Sequence, residues 1–180
     1  MSKRISLICA LTGLAAVGRI PFAAIPSVQL TTFFVLISGQ VFGPRIGLTV
    51  GILSACCSNM LLGQGPWTIY QAIAWGLAGF SAGILGLFLS RQAISGKFFR
   101  LAGIGHAFLW GFGFGWITNL WHFYAFVYPH NWHTWMAVCL TSLPFDAAHA
   151  FTNLVAFTVL GPGVVAILNR YQQKLKVLMM

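Results

Sequence analysis

The chain has 180 residues, of which 58% are hydrophobic and 6% charged, and its mean hydropathy is +0.84. Soluble domains carry about 25% charged residues, so this composition excludes a solvated globular surface and indicates an integral membrane protein. Ten Lys and Arg against one acid give a net charge of +9; their placement, described below, argues against a nucleic-acid role.

Six apolar segments follow in chain order: about Ile5 to Val17, Thr31 to Phe42, Ile46 to Leu62, Thr68 to Leu89, Leu101 to Val127, and Met136 to Leu168. A full span needs about 20 residues. The first two are short, and the last two are long enough to protrude or bend, with Pro144 the expected bend in the sixth. The first segment lacks a small-residue cleavage site and is not expected to be a simple signal peptide. No linker, low-complexity tract or internal repeat divides the chain, so residues 1–180 are expected to form a single membrane domain.

With six spans, both termini share one side. That side holds Lys3, Arg4, Arg45, Arg91, Lys97, Arg100, Arg170, Lys174 and Lys176, and the other side holds Arg19 alone. The orientation rule assigns the basic side to the cytoplasm. The fold class expected is an all-α membrane protein of six transmembrane helices with N- and C-termini cytoplasmic. The cationic excess is then a topology signal, with some attraction to anionic lipid.

The outer connections, Gly18 to Leu30, Gly63 to Trp67 and Tyr128 to Trp135, are rich in Pro, Gly, aromatic and amide residues. Polar side chains in a membrane are costly and tend to be paired or functional. Asn59, Gln64, Gln71 and Trp75 gather near the outer ends of segments three and four. Asn119, His122 and Tyr124 lie at the outer end of segment five. Asp146, His149 and Asn153 share one helical face in segment six. Gln29 and Tyr128 belong to the outer connections. This asymmetry predicts a ligand cup on the extracellular side, closed below by aliphatic and small residues.

Competing readings stand beside each candidate. Asp146 is either a buried carboxylate paired with His149, Arg19 or a helix terminus, or a ligand contact. Trp67 and Trp75 suit ligand stacking; Trp121, Trp132 and Trp135 suit an interfacial aromatic belt. His106 is expected at the inner interface. The spacing of the histidines matches no standard metal motif. Cys9, Cys56, Cys57 and Cys139 read as small buried residues. Cys9, Thr12, Gly13 and Ala16 form a small-residue stripe, suited either to packing within the bundle or to docking a partner helix. A glycine stripe at Gly79, Gly83 and Gly86 has no evident partner from sequence.

Three features carry a family resemblance: GRIPFAAIPSVQLTTFFVLISGQVFGPRIG from Gly18, SNMLLGQGPWTIYQAIAWGLAG from Ser58, and the six-segment plan. The chain resembles the substrate-binding S-component of an energy-coupling factor (ECF) vitamin transporter, and most closely the cobalamin group, formerly labelled queuosine transporters. The resemblance implies a subunit of an ABC importer in the bacterial cell membrane that is not an enzyme. It would bind a vitamin outside, beneath the closing segment Gly18 to Leu30, and dock on a membrane coupling protein (the T-component) and two ABC ATPases. It implies no cofactor of the chain's own; cobalamin would be the transported ligand, and ATP would be used by the partners. Family members dock through an Ala-x-x-x-Ala pattern on helix one; here Thr12 and Ala16, or Cys9 and Gly13, stand at that spacing.

The expected substrate-binding set is Arg19, Gln29, Asn59, Gln64, Trp67, Gln71, Trp75, Asn119, His122, Tyr128, Asp146, His149 and Asn153. Its amide, indole and imidazole character suits a large, mostly uncharged ligand with many amides, and the resemblance of Pro-Ser-Val-Gln and Gly-Gln-Gly-Pro-Trp to the cobalamin group implies cobalamin or a related corrinoid. A queuosine precursor is the alternative, and an intramembrane enzyme using Asp146 and His149, or a structural subunit, are rivals from other classes.

Overall fold

The computed structural model describes residues 2–91 and 96–177, with the side chains of Ser2, Arg91, Leu175, Lys176 and Val177 outside that set. Its regular elements are all helical: α1 (Ser2–Val17), a 3-10 turn (Ile20–Phe22), α2 (Thr31–Phe42), α3 (Pro44–Leu62), α4 (Trp67–Arg91), α5 (Gly96–Phe126), α6 (Trp132–Val159) and α7 (Gly161–Val177).

Three stretches are long and apolar enough to cross a bilayer alone: Lys3–Phe22, Pro44–Leu62 and Trp67–Ser90. The pair α6 and α7 passes the same test as one bent span. At 12 residues, α2 is only about 18 Å long, against a hydrocarbon thickness of roughly 30 Å. The 31 residues of α5 are long enough, but its Gly, Trp, His and Asn content keeps it below the same apolar threshold.

The bend in the sixth segment is not at Pro144. Helix α6 runs through that proline, and the chain turns by 62° between Val159 and Gly161. A helix inside a bilayer bundle tolerates a proline. At the break, Pro162 sits in the first turn of α7, where no backbone N–H is needed, and the Val164 amide resumes helical bonding to the Leu160 carbonyl at 3.0 Å.

Close backbone approach decides the packing of α2, α3 and α4. A Cβ on Gly39 or Gly47 would collide with the Gly79 carbonyl, one on Gly83 with the backbone of Pro44, and one on Gly86 with the Gln40 carbonyl. The glycine stripe of α4 is thus the seam against α2 and α3. Gly43, at φ +95°, makes the one-residue link between α2 and α3, a conformation that favours glycine. Leu7, Leu11, Phe33, Leu36, Ile37, Val50 and Trp75 fill the core beside this seam.

Two ends result. At one, α1 ends, the Gly18–Leu30 segment crosses over, and α3 meets α4 through Gly63–Pro66. At the other lie the α2–α3 link and the start of α5. Helix α7 folds under this second end, where Gln172 Nε2 donates to the Val41 carbonyl of α2 at 2.6 Å. That carbonyl belongs to the last turn of α2 and has no acceptor role within the helix.

Candidate functional site

A polar network builds outward from Asn59, which the third helix carries into the bundle with 1% of its surface exposed. Arg19 reaches down from the crossing segment. Its Nη1 donates to Asn59 Oδ1 at 2.7 Å and to Ser58 Oγ at 3.0 Å, and its guanidinium lies 5.4 Å from the centre of the Trp75 ring. Asn59 Nδ2 in turn donates to Thr68 Oγ1 at 2.7 Å and to Gln71 Oε1 at 2.8 Å. One asparagine therefore joins the crossing segment, α3 and α4.

Trp75 begins a second group. Its ring is fully buried, with Arg19 nearby and Phe114 at 4.8 Å between ring centroids. Its Nε1 donates to Thr32 Oγ1 at 3.0 Å, and the same hydroxyl lies 2.7 Å from His149 Nε2. An indole N–H can only donate, so Thr32 accepts from Trp75 and keeps its own proton available for His149. Gln29 is buried at the foot of the crossing segment, beside the Leu30 amide, which bonds the Gly18 carbonyl at 3.0 Å.

A third group joins α5 to α6. Asn119 Nδ2 donates to Ser142 Oγ at 2.7 Å, and Ser142 Oγ donates to Asp146 Oδ2 at 3.0 Å. The Asp146 carboxylate fits only because position 115 is glycine; a Cβ there would collide with it. Asp146 therefore takes its hydrogen bond from Ser142, whereas His149 is engaged by Thr32 and Arg19 by Asn59 and Ser58. Of the two readings of Asp146, the pairing with His149 or Arg19 is not made. Asn153 sits one turn beyond His149, fully buried; its Nδ2 donates to the Ala107 carbonyl at 3.1 Å, while its Oδ1 has no partner.

Other expected site residues lie apart. Both ends of the Gln64 amide are engaged locally, Nε2 with the Cys56 carbonyl at 3.0 Å and Oε1 with the Thr68 hydroxyl at 2.9 Å. Trp67 folds back on Gly65 and stays 37% exposed. His122 is exposed beside Phe126, and Tyr128 is 88% exposed. A cavity of about 310 Å³ near them is lined by Phe123, His130 and Trp135 among others.

The α1 stripe divides between two faces. Thr12 and Ala16 are buried in the bundle, whereas Cys9 and Gly13 are exposed, with nothing near the Gly13 Cα where a side chain would grow. Cys9 and Cys56 are exposed, not buried as expected. His106 turns inward, with Ser81 Oγ and Trp110 Nε1 each 3.1 Å from its Nε2. Network members that sequence reasoning missed are Thr32, Ser58, Thr68, Phe114 and Ser142.

The clustered candidates are close-packed against one another. A larger cavity, about 700 Å³, lies at the opposite end, between α2, α4, α5, α6 and α7.

A family model for the ECF transporter substrate-specific component matches residues 3–161. No curated protein and no solved structure matches the chain. The match takes in α1 through α6, including every residue of the three polar groups, and the chain therefore belongs to the family of ECF transporter substrate-specific components.

Proposed function

We propose that this S-component captures cobalamin or a related corrinoid at the end marked by Arg19, outside a bacterial cell, and delivers it inward after docking. S-components work with a T-component and ATPases. The chain would cross the membrane six times with its basic end in the cytoplasm. The observation that carries the reading is the Arg19–Asn59–Gln71 network over Trp75: amides, an indole and one guanidinium under a single crossing segment. Such a set suits a ligand rich in amides and poor in charge.

Arg19 acts as the latch in this mechanism. With the segment down, it occupies Asn59 and Ser58. Lifting Gly18–Leu30 withdraws it and frees the Asn59 and Gln71 amides and the Trp75 face for a ligand. The ligand then replaces the broken hydrogen bonds, and the segment closes over it. Exposed Cys9 and Gly13 on α1 would meet the coupling protein, with ATP hydrolysed in the partner ATPases.

The compactness of the Trp75–Thr32–His149 group favours a second ligand, a queuosine precursor, whose flat base would need less opening. Calorimetric titration of the purified chain with cyanocobalamin and, separately, queuine distinguishes the two. One-to-one binding of cyanocobalamin, weakened by Gln71→Ala, is expected. Binding of queuine alone would move the substrate, and silence with both from folded protein would favour a structural subunit.

A further inference from the structure

The 700 Å³ cavity lies at the end remote from Arg19 and has a two-part chemistry. Its floor is apolar and covered, with Phe157 buried and Phe99 and Val165 half-buried. Its mouth is polar and open, with Arg100 and Asn169 exposed. The proposed capture mechanism uses none of these residues. One wall is α7, which begins where the family match ends at residue 161.

No Asp or Glu side chain offsets the charge at this mouth. Asp146 is the only Asp or Glu in the whole chain, and it is held by Ser142 partway along α6. Exposed Lys97, Arg170 and Lys174 belong to the same two helices, α5 and α7, as the mouth residues. Arg100 is therefore open to an anion from outside the chain. A simple hydrated anion would leave the Phe99, Phe157 and Val165 floor in contact with water, at a cost proportional to the apolar area. An amphiphile satisfies both halves at once, and a membrane protein is always surrounded by one.

We propose that this cavity binds one anionic phospholipid, with its phosphate at Arg100 and Asn169 and an acyl chain on Phe99, Phe157 and Val165. The lipid would then join the α2 end of the bundle to α7, which already touches α2 through Gln172.

Native mass spectrometry of the full chain in mild detergent, titrated with phosphatidylglycerol or phosphatidylcholine, tests this. One tightly retained phosphatidylglycerol is expected. Arg100→Gln should weaken it on the order of tenfold, the effect of losing a charge-assisted contact. Arg100→Lys should keep most of the binding, and Arg45→Gln, at an exposed cation outside the cavity, should leave it unchanged. Gly103→Leu, which fills the floor beside Gln40, should exclude the lipid, with thermal unfolding of the same samples reporting the fold. Equal retention of the two lipids would overturn the proposal. So would equal losses from Arg45→Gln and Arg100→Gln, or full displacement by glycerol phosphate at the lipid's own concentration, which would mark a phosphate site without an acyl chain.

Discussion

Asn59 illustrates how much one side chain can decide in a bilayer. It accepts from Arg19 and donates to Thr68 and Gln71, so Asn59→Ala removes three hydrogen bonds at once, although Arg19 keeps Ser58 and Thr68 keeps Gln64. Leaving a fully buried polar group unpaired costs about 1–3 kcal/mol; these partners are only half-buried, so a loss toward the lower end of that range is expected on thermal unfolding in detergent. Asp146→Asn should behave differently. The amide oxygen still accepts from Ser142, so ligand affinity measured by calorimetry should change little, whereas an enzyme dependent on this carboxylate would lose its activity. Asn59, Gln71 and Arg19 were legible in the sequence because a long polar side chain in an apolar run needs a partner. Thr32, Ser58 and Ser142 were not. A small hydroxyl in a membrane helix commonly bonds a carbonyl of its own preceding turn, as Ser38, Ser54 and Thr49 do here, and sequence does not mark which one reaches across. Phe114 was equally hidden among sixteen phenylalanines.

Glycines carry the corresponding information among the helices. Gly79→Leu would drive a side chain into the backbone of α3 and should abolish folded protein, seen as loss of the monodisperse peak in size-exclusion chromatography. Gly13→Leu meets nothing within the chain. It should fold and bind ligand normally, yet fail to co-purify with the T-component and ATPases if the exposed α1 face is the docking surface. The positions of α2, α3 and α4 were readable to within a few residues from hydropathy and the Gly-Pro punctuation. The division of the sixth segment was not. Pro144 is the stronger breaker in isolation, yet α6 runs through it and the chain bends after Val159, from where α7 reaches the end of α2. The α1 stripe likewise split, because spacing shows which residues are small but not which face the bundle takes.

For the whole molecule, the distribution of charge makes the topology testable. In a background without the four native cysteines, Tyr128→Cys should react with a membrane-impermeant maleimide on intact cells, and Lys174→Cys only after permeabilisation. Labelling of both from the same side would refute a six-span chain with its basic end inside. The glycine seam has a mechanical consequence as well. Where backbones touch with no side chain between them, there is no rotamer to rearrange, and α2, α3 and α4 can separate only if their backbones part. If ligand enters as proposed, opening is expected at the Gly18–Leu30 segment and between α5 and the α2–α3–α4 group, and not along the glycine seam.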